Sequence, residues 1–308
     1  MAIVTGAGGG LGREHALLLA RRGAKVLVND FGGEADGSGG SATPAKRVAA
    51  EIEKAGGVAA ANTETVDTPA GGRAIVEQAM DLWGRVDVLV NNAGIAGGGP
   101  FHEIPPERVA KMIGVHVEGS YNVGRAAWPV MLERGYGRVV NTSSGSVFGT
   151  PGTIHYVTAK AGIIGFTRAL AQEGAPAGIK VNAIMPVAYS RLTAAVPAED
   201  FKAWLREHYG PERVAPFVAW LAHEDVPCTG ELFTVGGGRA ARVFLGVAPG
   251  HTASPATPEA YRDHFDEVMS PEGYAIPASA MEEVALNSGE IGWKGAAPPD
   301  MHKGADAG

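Results

Sequence analysis

The sequence predicts a doubly wound α/β fold: a seven-stranded parallel, Rossmann-like sheet followed by a C-terminal extension. Three observations point to it. Short apolar, β-branched runs alternate with helical patterns over residues 1–235. Several runs are apolar on both faces, as parallel strands covered by helices on each side must be. A glycine-rich turn links the first run directly to the first helical pattern.

Taken in order, Ala2–Val4 is the first strand and Leu11–Arg22 the first helix. Lys25–Val28 follows, and Phe31–Thr43 (FGGEADGSGGSAT) reads as a mobile glycine-rich insertion. The helix Pro44–Ala55, the strand Val58–Ala61, the helix Ala70–Trp83 and the strand Val86–Val90 continue the alternation. One long helix is expected over Pro106–Arg134, then a strand at Arg138–Asn141 and a helix at His155–Gly174. Lys180–Ile184, the helix Pro211–His223 and Glu231–Val235 close the pattern. Residues 1–235 are thus expected to form a dinucleotide-binding catalytic domain, and 236–308 an extension of the same domain. The extension carries one helical stretch near Pro258–Met269 and a frayed tail at Gly295–Gly308.

Composition narrows the function. The chain has 308 residues, 45% of them hydrophobic, the balance of a globular protein. A net charge of −7 argues against a nucleic-acid partner, which needs a concentrated basic face. With Cys228 as the single cysteine, no intrachain disulfide forms and a reducing compartment is expected. The N-terminus has no signal-peptide pattern and no stretch has the length of a membrane span, so a soluble cytoplasmic protein is expected. No two of the nine histidines lie three or four residues apart, so no metal site is expected from spacing.

Thr5-Gly6-Ala7-Gly8-Gly9-Gly10-Leu11-Gly12 stands between strand and helix. Glycines there bring the backbone against a pyrophosphate, and the helix N-terminus offers free N–H groups. Gly6, Gly10, Leu11 and Gly12 are therefore candidate cofactor contacts; a glycine turn without ligand is the alternative. Asp30 ends the second strand about 20 residues on, where an acid binds the adenosine ribose or merely caps a turn. A carboxylate there repels a 2′-phosphate, and Arg13 is the nearest cation in sequence, so NAD is favoured over NADP.

Asn91-Asn92-Ala93-Gly94, a serine after the next strand, and Tyr156-x-x-x-Lys160 complete a pattern with the glycine turn. In that combination the chain resembles the short-chain dehydrogenase/reductase family from Met1 to about Val235. The resemblance implies that Asn92 and Gly94 lie beside the cofactor and that Asp67 contacts the adenine. It also implies a cofactor contact at Pro186, where Val187 replaces the family's usual following glycine.

Tyr156 and Lys160 are four apart on a helix and share a face. A free tyrosine titrates near pH ~10, and an adjacent ammonium would favour its phenolate as a base. Tyr156 and Lys160 thus become candidate catalytic residues, also touching the cofactor. The serine has two candidates. The family's catalytic serine is normally the second of a pair, which selects Ser144, although its distance to Tyr156 is one residue short. Ser143 restores the spacing but points from the wrong strand face; Ser146 is a remote third. The family's fourth catalytic position falls at His116, which is either a hydrogen-bonding group near the lysine or a core histidine.

Val28–Gly33 with its glycine loop, His116, Arg125–Pro129 and Pro186–Thr193 are narrower features. They resemble the (3R)-hydroxyacyl-CoA dehydrogenase unit of the peroxisomal multifunctional β-oxidation enzymes and its bacterial single-domain relatives. That resemblance implies an acyl-CoA substrate, with Arg191, Lys202 and Arg206 as phosphate contacts and Phe201, Trp204 and Leu205 lining an acyl groove. It also implies a homo-oligomer, dimer or tetramer, pairing through the two long helices. A dehydrogenase for a steroid, simple alcohol or 3-oxoacyl carrier substrate and a catalytically silent NAD-binding scaffold are the competing readings.

Overall fold

The computed structural model describes residues 1–189 and 199–290. The chain divides into two compact units, Met1–Val243 and Phe244–Gly308.

The first unit is built on one sheet. Its strands are β1 (Ala2–Thr5), β2 (Lys25–Asn29), β3 (Val58–Asn62), β4 (Val88–Asn91), β5 (Gly137–Thr142), β6 (Ile179–Pro186), β7 (Leu232–Gly236) and β8 (Arg239–Val243). They lie in the order β3-β2-β1-β4-β5-β6-β7-β8. Every pairing through β7 is parallel. The helices of this unit are α1 (Gly10–Arg21), α2 (Thr43–Lys54), α3 (Pro69–Trp83), α4 (Pro106–Ile113), α5 (Gly119–Arg134), α6 (Ile154–Gly174), α7 (Glu199–His208) and α8 (Ala215–Leu221).

Successive strand side chains point to opposite faces, and both faces are roofed. Ala2, Val4, Val26 and Val28 pack with Leu17 and Leu19 of α1 and Val48 and Ile52 of α2. Ile3 and Leu27, one residue out of phase, pack with Ile75 and Ala79 of α3 and Val123 and Met131 of α5. That double burial is why these strands read as unbroken apolar runs. The strand order reverses between β1 and β4, and it is beyond the C-terminal ends of the strands at such a reversal that open α/β sheets bind their ligands.

Four expectations are corrected or extended. An eighth strand, β8, joins the sheet antiparallel to β7 through the two-residue turn Gly237-Gly238. Its sequence, RAARV, is largely exposed and edge-like, so it carries no apolar signal. The single helix expected over Pro106–Arg134 is interrupted by a π-helical turn at Gly114–Glu118. Helix α7 carries Phe201, Lys202, Trp204, Leu205 and Arg206, expected as acyl and phosphate contacts, while Ser190, Arg191, Leu192 and Thr193 lie outside the described residues, as does the tail Gly295–Gly308. The glycine-rich insertion is internally bonded, with Ser41 N donating to Phe31 O at 3.0 Å, and Ala35 O accepts from Ala96 N at 2.8 Å.

The second unit contains α9 (Pro258–Asp263), α10 (Phe265–Met269) and α11 (Ala280–Glu290), with one antiparallel bridge between Val247 and Ala275. None of its described residues whose burial is defined is buried.

Candidate active site

Helix α1 begins at Gly10 with an extended glycine, Gly9, at its N-cap and no side chain capping it. Its first-turn N–H groups are therefore left without a side-chain cap, as an anion-binding helix N-terminus needs. A side chain at Gly12 would place a Cβ 2.2 Å from Gly6 O and 2.5 Å from Asn92 Nδ2, so only glycine allows the turn to close on the helix. At Gly9 and Gly10 a Cβ would meet nothing within 4 Å, which leaves room for a ligand. A cradle tight behind and open in front fits a dinucleotide pyrophosphate.

Asp30 follows β2 and holds this turn. Its Oδ2 accepts from Gly8 N and its Oδ1 from Gly32 N, each at 2.7 Å. The cation that reaches the turn is not Arg13, which pairs with Glu14 and Glu51. It is Arg47 of α2, donating to Gly8 O at 3.0 Å. Asp67 lies past β3 and accepts from the Thr65 hydroxyl.

Asn92 is a staple between strands: its Nδ2 donates to Thr5 O at 3.0 Å and Gly6 O at 3.1 Å, and its N–H donates to Thr5 Oγ1 at 3.0 Å. Behind it, Asn91 Nδ2 donates to Asn141 Oδ1 at 2.9 Å and Asn141 Nδ2 to Thr167 Oγ1 at 3.0 Å, tying β4, β5 and α6 together in the core. Pro186 ends β6 on the same edge of the sheet, paired with Val235.

The side-chain cluster sits beyond β5 and on α6. The Ser144 hydroxyl lies toward the Tyr156 phenol, whose pKa it acts to lower, and accepts from Ser146 N at 3.2 Å. Ser143 is turned away: it is buried, and its Oγ donates to Lys160 O at 2.8 Å. Of the two serines, Ser144 is thus the one that meets Tyr156. Lys160 is buried, with Nζ donating to Thr142 O at 2.6 Å and lying 5.7 Å from the centre of the Tyr156 ring.

Burial sets the acidities here. It pushes Lys160 down to about 7. It also raises the Tyr156 phenol above its ordinary value, with the Ser144 hydroxyl acting the other way. The expected lowering of Tyr156 by the Lys160 charge is not what governs this pair; loss of hydration outweighs it.

His116 lies in the π-helical turn and is buried. Its Nε2 faces the Ile95 backbone, 3.1 Å from the N and 2.9 Å from the O, and its ring meets Tyr156 edge-on at 5.4 Å. Its Nδ1 is buried without a partner among the described residues. Burial, reinforced by the Lys160 charge, holds it well below the usual imidazole range, so it is neutral. The core and site readings of His116 thus both describe it: a buried histidine against the tyrosine. Gly94 is glycine for its sake, since a Cβ there would lie 2.5 Å from His116 Cε1.

Sequence reasoning missed several contributors. Thr5, Thr142 and Gly8 act through backbone or short hydroxyl bonds that carry no motif, and Arg47 reaches the turn from a helix far along the chain. His155 is buried beside Tyr156 with both ring nitrogens unpartnered among the described residues. On α7, Lys202 pairs with Glu199 at 2.6 Å and Arg206 donates to Tyr189 OH at 3.1 Å. Phe201 and Trp204 are exposed and stacked at 5.8 Å, whereas Leu205 is buried in the core.

A glycine cradle at the sheet's switch point, beside a serine–tyrosine–lysine cluster, defines an oxidoreductase of the nicotinamide-dependent type. The chain belongs to the short chain dehydrogenase family, whose sequence pattern matches residues 1–199. It is 40% identical over 284 residues to peroxisomal multifunctional enzyme A of Dictyostelium discoideum, covering 92% of this chain and 63% of that protein. A short-chain type dehydrogenase/reductase of Mycobacterium tuberculosis is 45% identical over 244 residues, 79% of this chain and 84% of the relative. Among solved structures, full-length peroxisomal multifunctional enzyme type 2 of Drosophila melanogaster superposes with a TM-score of 0.78 at 31% identity, over 94% of this chain and 48% of that one. The chain therefore spans under two thirds of the multifunctional relatives it matches.

Proposed function

We propose that this chain is an NAD-dependent dehydrogenase of a secondary alcohol, with a (3R)-3-hydroxyacyl-CoA ester as its substrate. The observation that carries the dehydrogenase reading is the grouping of Ser144 and Tyr156 with the buried Lys160, whose Nζ lies 5.7 Å from the centre of the Tyr156 ring. Tyr156 removes the alcohol proton at its phenolic oxygen, and Ser144 holds the substrate oxygen by hydrogen bond. Lys160, fixed through Thr142 O, supplies the cationic side of the pocket and contacts the cofactor ribose. His116 positions the Tyr156 ring and the segment at Ile95.

For the cofactor, Gly6, Gly10, Leu11 and Gly12 cradle the pyrophosphate, Asp30 faces the adenosine ribose, Asp67 the adenine, and Asn92, Gly94 and Pro186 the nicotinamide end. NAD, when bound, supplies the hydride acceptor and a positive charge that favours the Tyr156 phenolate. Asp30 favours NAD over NADP by repelling a 2′-phosphate; Arg47, bonded to Gly8 O, favours the reverse, and the carboxylate is read as decisive because it faces both Gly8 and Gly32.

The acyl-CoA reading is supported by the multifunctional relatives and by the exposed Phe201 and Trp204, an apolar surface suited to an acyl chain. Of the cations expected to meet the CoA phosphates, Lys202 and Arg206 bond to Glu199 and Tyr189 on the surface, and Arg191 lies outside the described residues. Outward-facing Tyr121 and Leu132 of α5 and Ile154 of α6 support pairing of these helices between copies, as a dimer or tetramer. No helix among the described residues is long and apolar enough to cross a membrane; a cytoplasmic location is proposed on the single cysteine.

The test monitors NADH formation with each 3-hydroxyacyl-CoA enantiomer separately, alongside a steroid and a simple secondary alcohol. Turnover of the 3R ester and rejection of the 3S ester is expected, because hydride and proton leave in fixed directions. Activity on the steroid or alcohol alone would move the substrate to that class.

A further inference from the structure

We propose that His251, His264 and Glu267 in the second unit bind a divalent transition metal of the zinc type, which ties the segment after Val247 to the helix pair α9–α10. The imidazole rings of His251 and His264 stack with centres 4.0 Å apart and planes 10° from parallel, which brings their nitrogens together; binding one ion through both requires one ring to turn out of the stack. One ligand atom from each of the three residues lies within 4.8 Å of the others.

The hydrogen bonds prepare these rings as ligands. His264 Nδ1 lies 2.9 Å from Ala260 O, and His251 Nδ1 lies 2.8 Å from Glu267 Oε2. His264 Nδ1 faces a carbonyl, which leaves its Nε2 as the ligand atom, whereas His251 Nδ1 and Glu267 Oε2 stand at the spacing of two ligands of one ion, which would take the place of the proton between them. A ligating histidine is ordinarily oriented as His264 is, by a carbonyl or carboxylate on its far nitrogen. Two imidazoles and a carboxylate suit zinc, with water completing four-coordination. Asp266 and Glu267 in the first turn of α10 add negative charge near the site.

The unit has a physical need for such a tie. Among its described residues of defined burial none is buried, so these hold no apolar core of their own. Small units in that position are held by disulfides, metals or partners. The single cysteine, Cys228, lies in the other unit. The ligands escaped the sequence reading because His251 stands far upstream of the His264–Glu267 pair.

The test uses the full chain without an affinity tag, stripped with a chelator and titrated with Zn²⁺ against a chromophoric competitor. One equivalent should bind, and Co²⁺ in its place should give the intense visible absorption of a tetrahedral, nitrogen-ligated ion. His251→Ala and His264→Ala should each weaken binding at least about tenfold, with a smaller loss for Glu267→Gln. His223→Ala, an exposed histidine of the first unit, should leave it unchanged. Zn²⁺ should also slow tryptic cleavage after Arg262. The unsubstituted chain reads out the site even if a variant misfolds: absence of saturable binding and of the Co²⁺ band overturns the proposal. So does binding that survives both histidine substitutions. Protection of Arg262 by raised protein concentration, and not by Zn²⁺, overturns the tying role and points to a second copy of the chain.

Discussion

Around β1 and β2 the candidate site is made of backbone groups, held by glycines and by Asp30, whereas around β5 and α6 it is made of side chains. In the first region the hazard is a Cβ, since Gly12 already touches Gly6 and Asn92. In the second it is a proton, since burial moves both Tyr156 and Lys160 away from their ordinary acidities. The two regions should therefore fail differently: the first by losing cofactor affinity, the second by losing turnover.

The sharpest test of that contrast is Tyr156→Phe. It should lower kcat by roughly 10²–10⁴-fold and leave cofactor affinity, measured by calorimetry, nearly unchanged, because the hydroxyl acts on substrate while the ring only packs. Normal turnover would end the mechanism. Gly12→Ala should do the converse: the added methyl must push apart backbone at Gly6, at roughly 1–3 kcal/mol, costing about 10- to 100-fold in cofactor affinity. An unaltered dissociation constant would show that the turn does not bind the dinucleotide.

His116 sits between the regions. His116→Leu removes the bond to the Ile95 backbone and should cost roughly 1–3 kcal/mol in stability or transition-state binding, read as lower kcat and a lower melting temperature. His116→Asn, which can restore a polar contact, should retain substantial activity. Equal activity of the Leu variant would reduce His116 to packing. Asp30→Asn keeps an acceptor for one of the Gly8 and Gly32 amides while removing the charge, and should narrow the NAD/NADP preference by about tenfold. Equal affinity for the two cofactors in the unsubstituted protein would remove Asp30 from the ribose.

The smallest effect near neutral pH belongs to His15 of α1, which is fully buried with both ring nitrogens unpartnered among the described residues. Burial lowers its pKa from 6.5 to about 3. Between those values the unfolded chain binds the proton and the folded chain does not, so stability falls as pH drops through 6.5 and the loss is complete below about 3. The slope is at most about 1.4 kcal/mol per pH unit for one such group. Chemical denaturation across this range should show a shallower acid limb for His15→Leu than for the parent.

How much was legible in advance follows the range of the interactions. The strands through β7 and the principal helices of the sheet unit were readable because apolar periodicity and glycine punctuation are local. The exposed edge strand β8 has no apolar period, and α7 and α11 were missed in stretches read as loop or extension. The break at Gly114–Glu118 was hidden because a π-turn changes the backbone pattern while the side-chain pattern runs on. Within the site, the glycine turn, Asp30, Tyr156 and Lys160 stood out through the combined pattern that resembles the family, not through any one spacing. Spacing misled on Arg13, whose acidic neighbours across α1 and α2 claim it.

The sequence by itself determined the class of fold, the place of the glycine cradle and the pairing of Tyr156 with Lys160, because each depends on residues close together in the chain. Only the tertiary structure decided which serine meets Tyr156, by turning Ser143 onto the Lys160 carbonyl. It also decided that His116 presses on both Gly94 and Tyr156, and that His251 meets His264. These are encounters between distant segments, and they arise from the packing of helices on the sheet and of loops on helices, which no local pattern encodes.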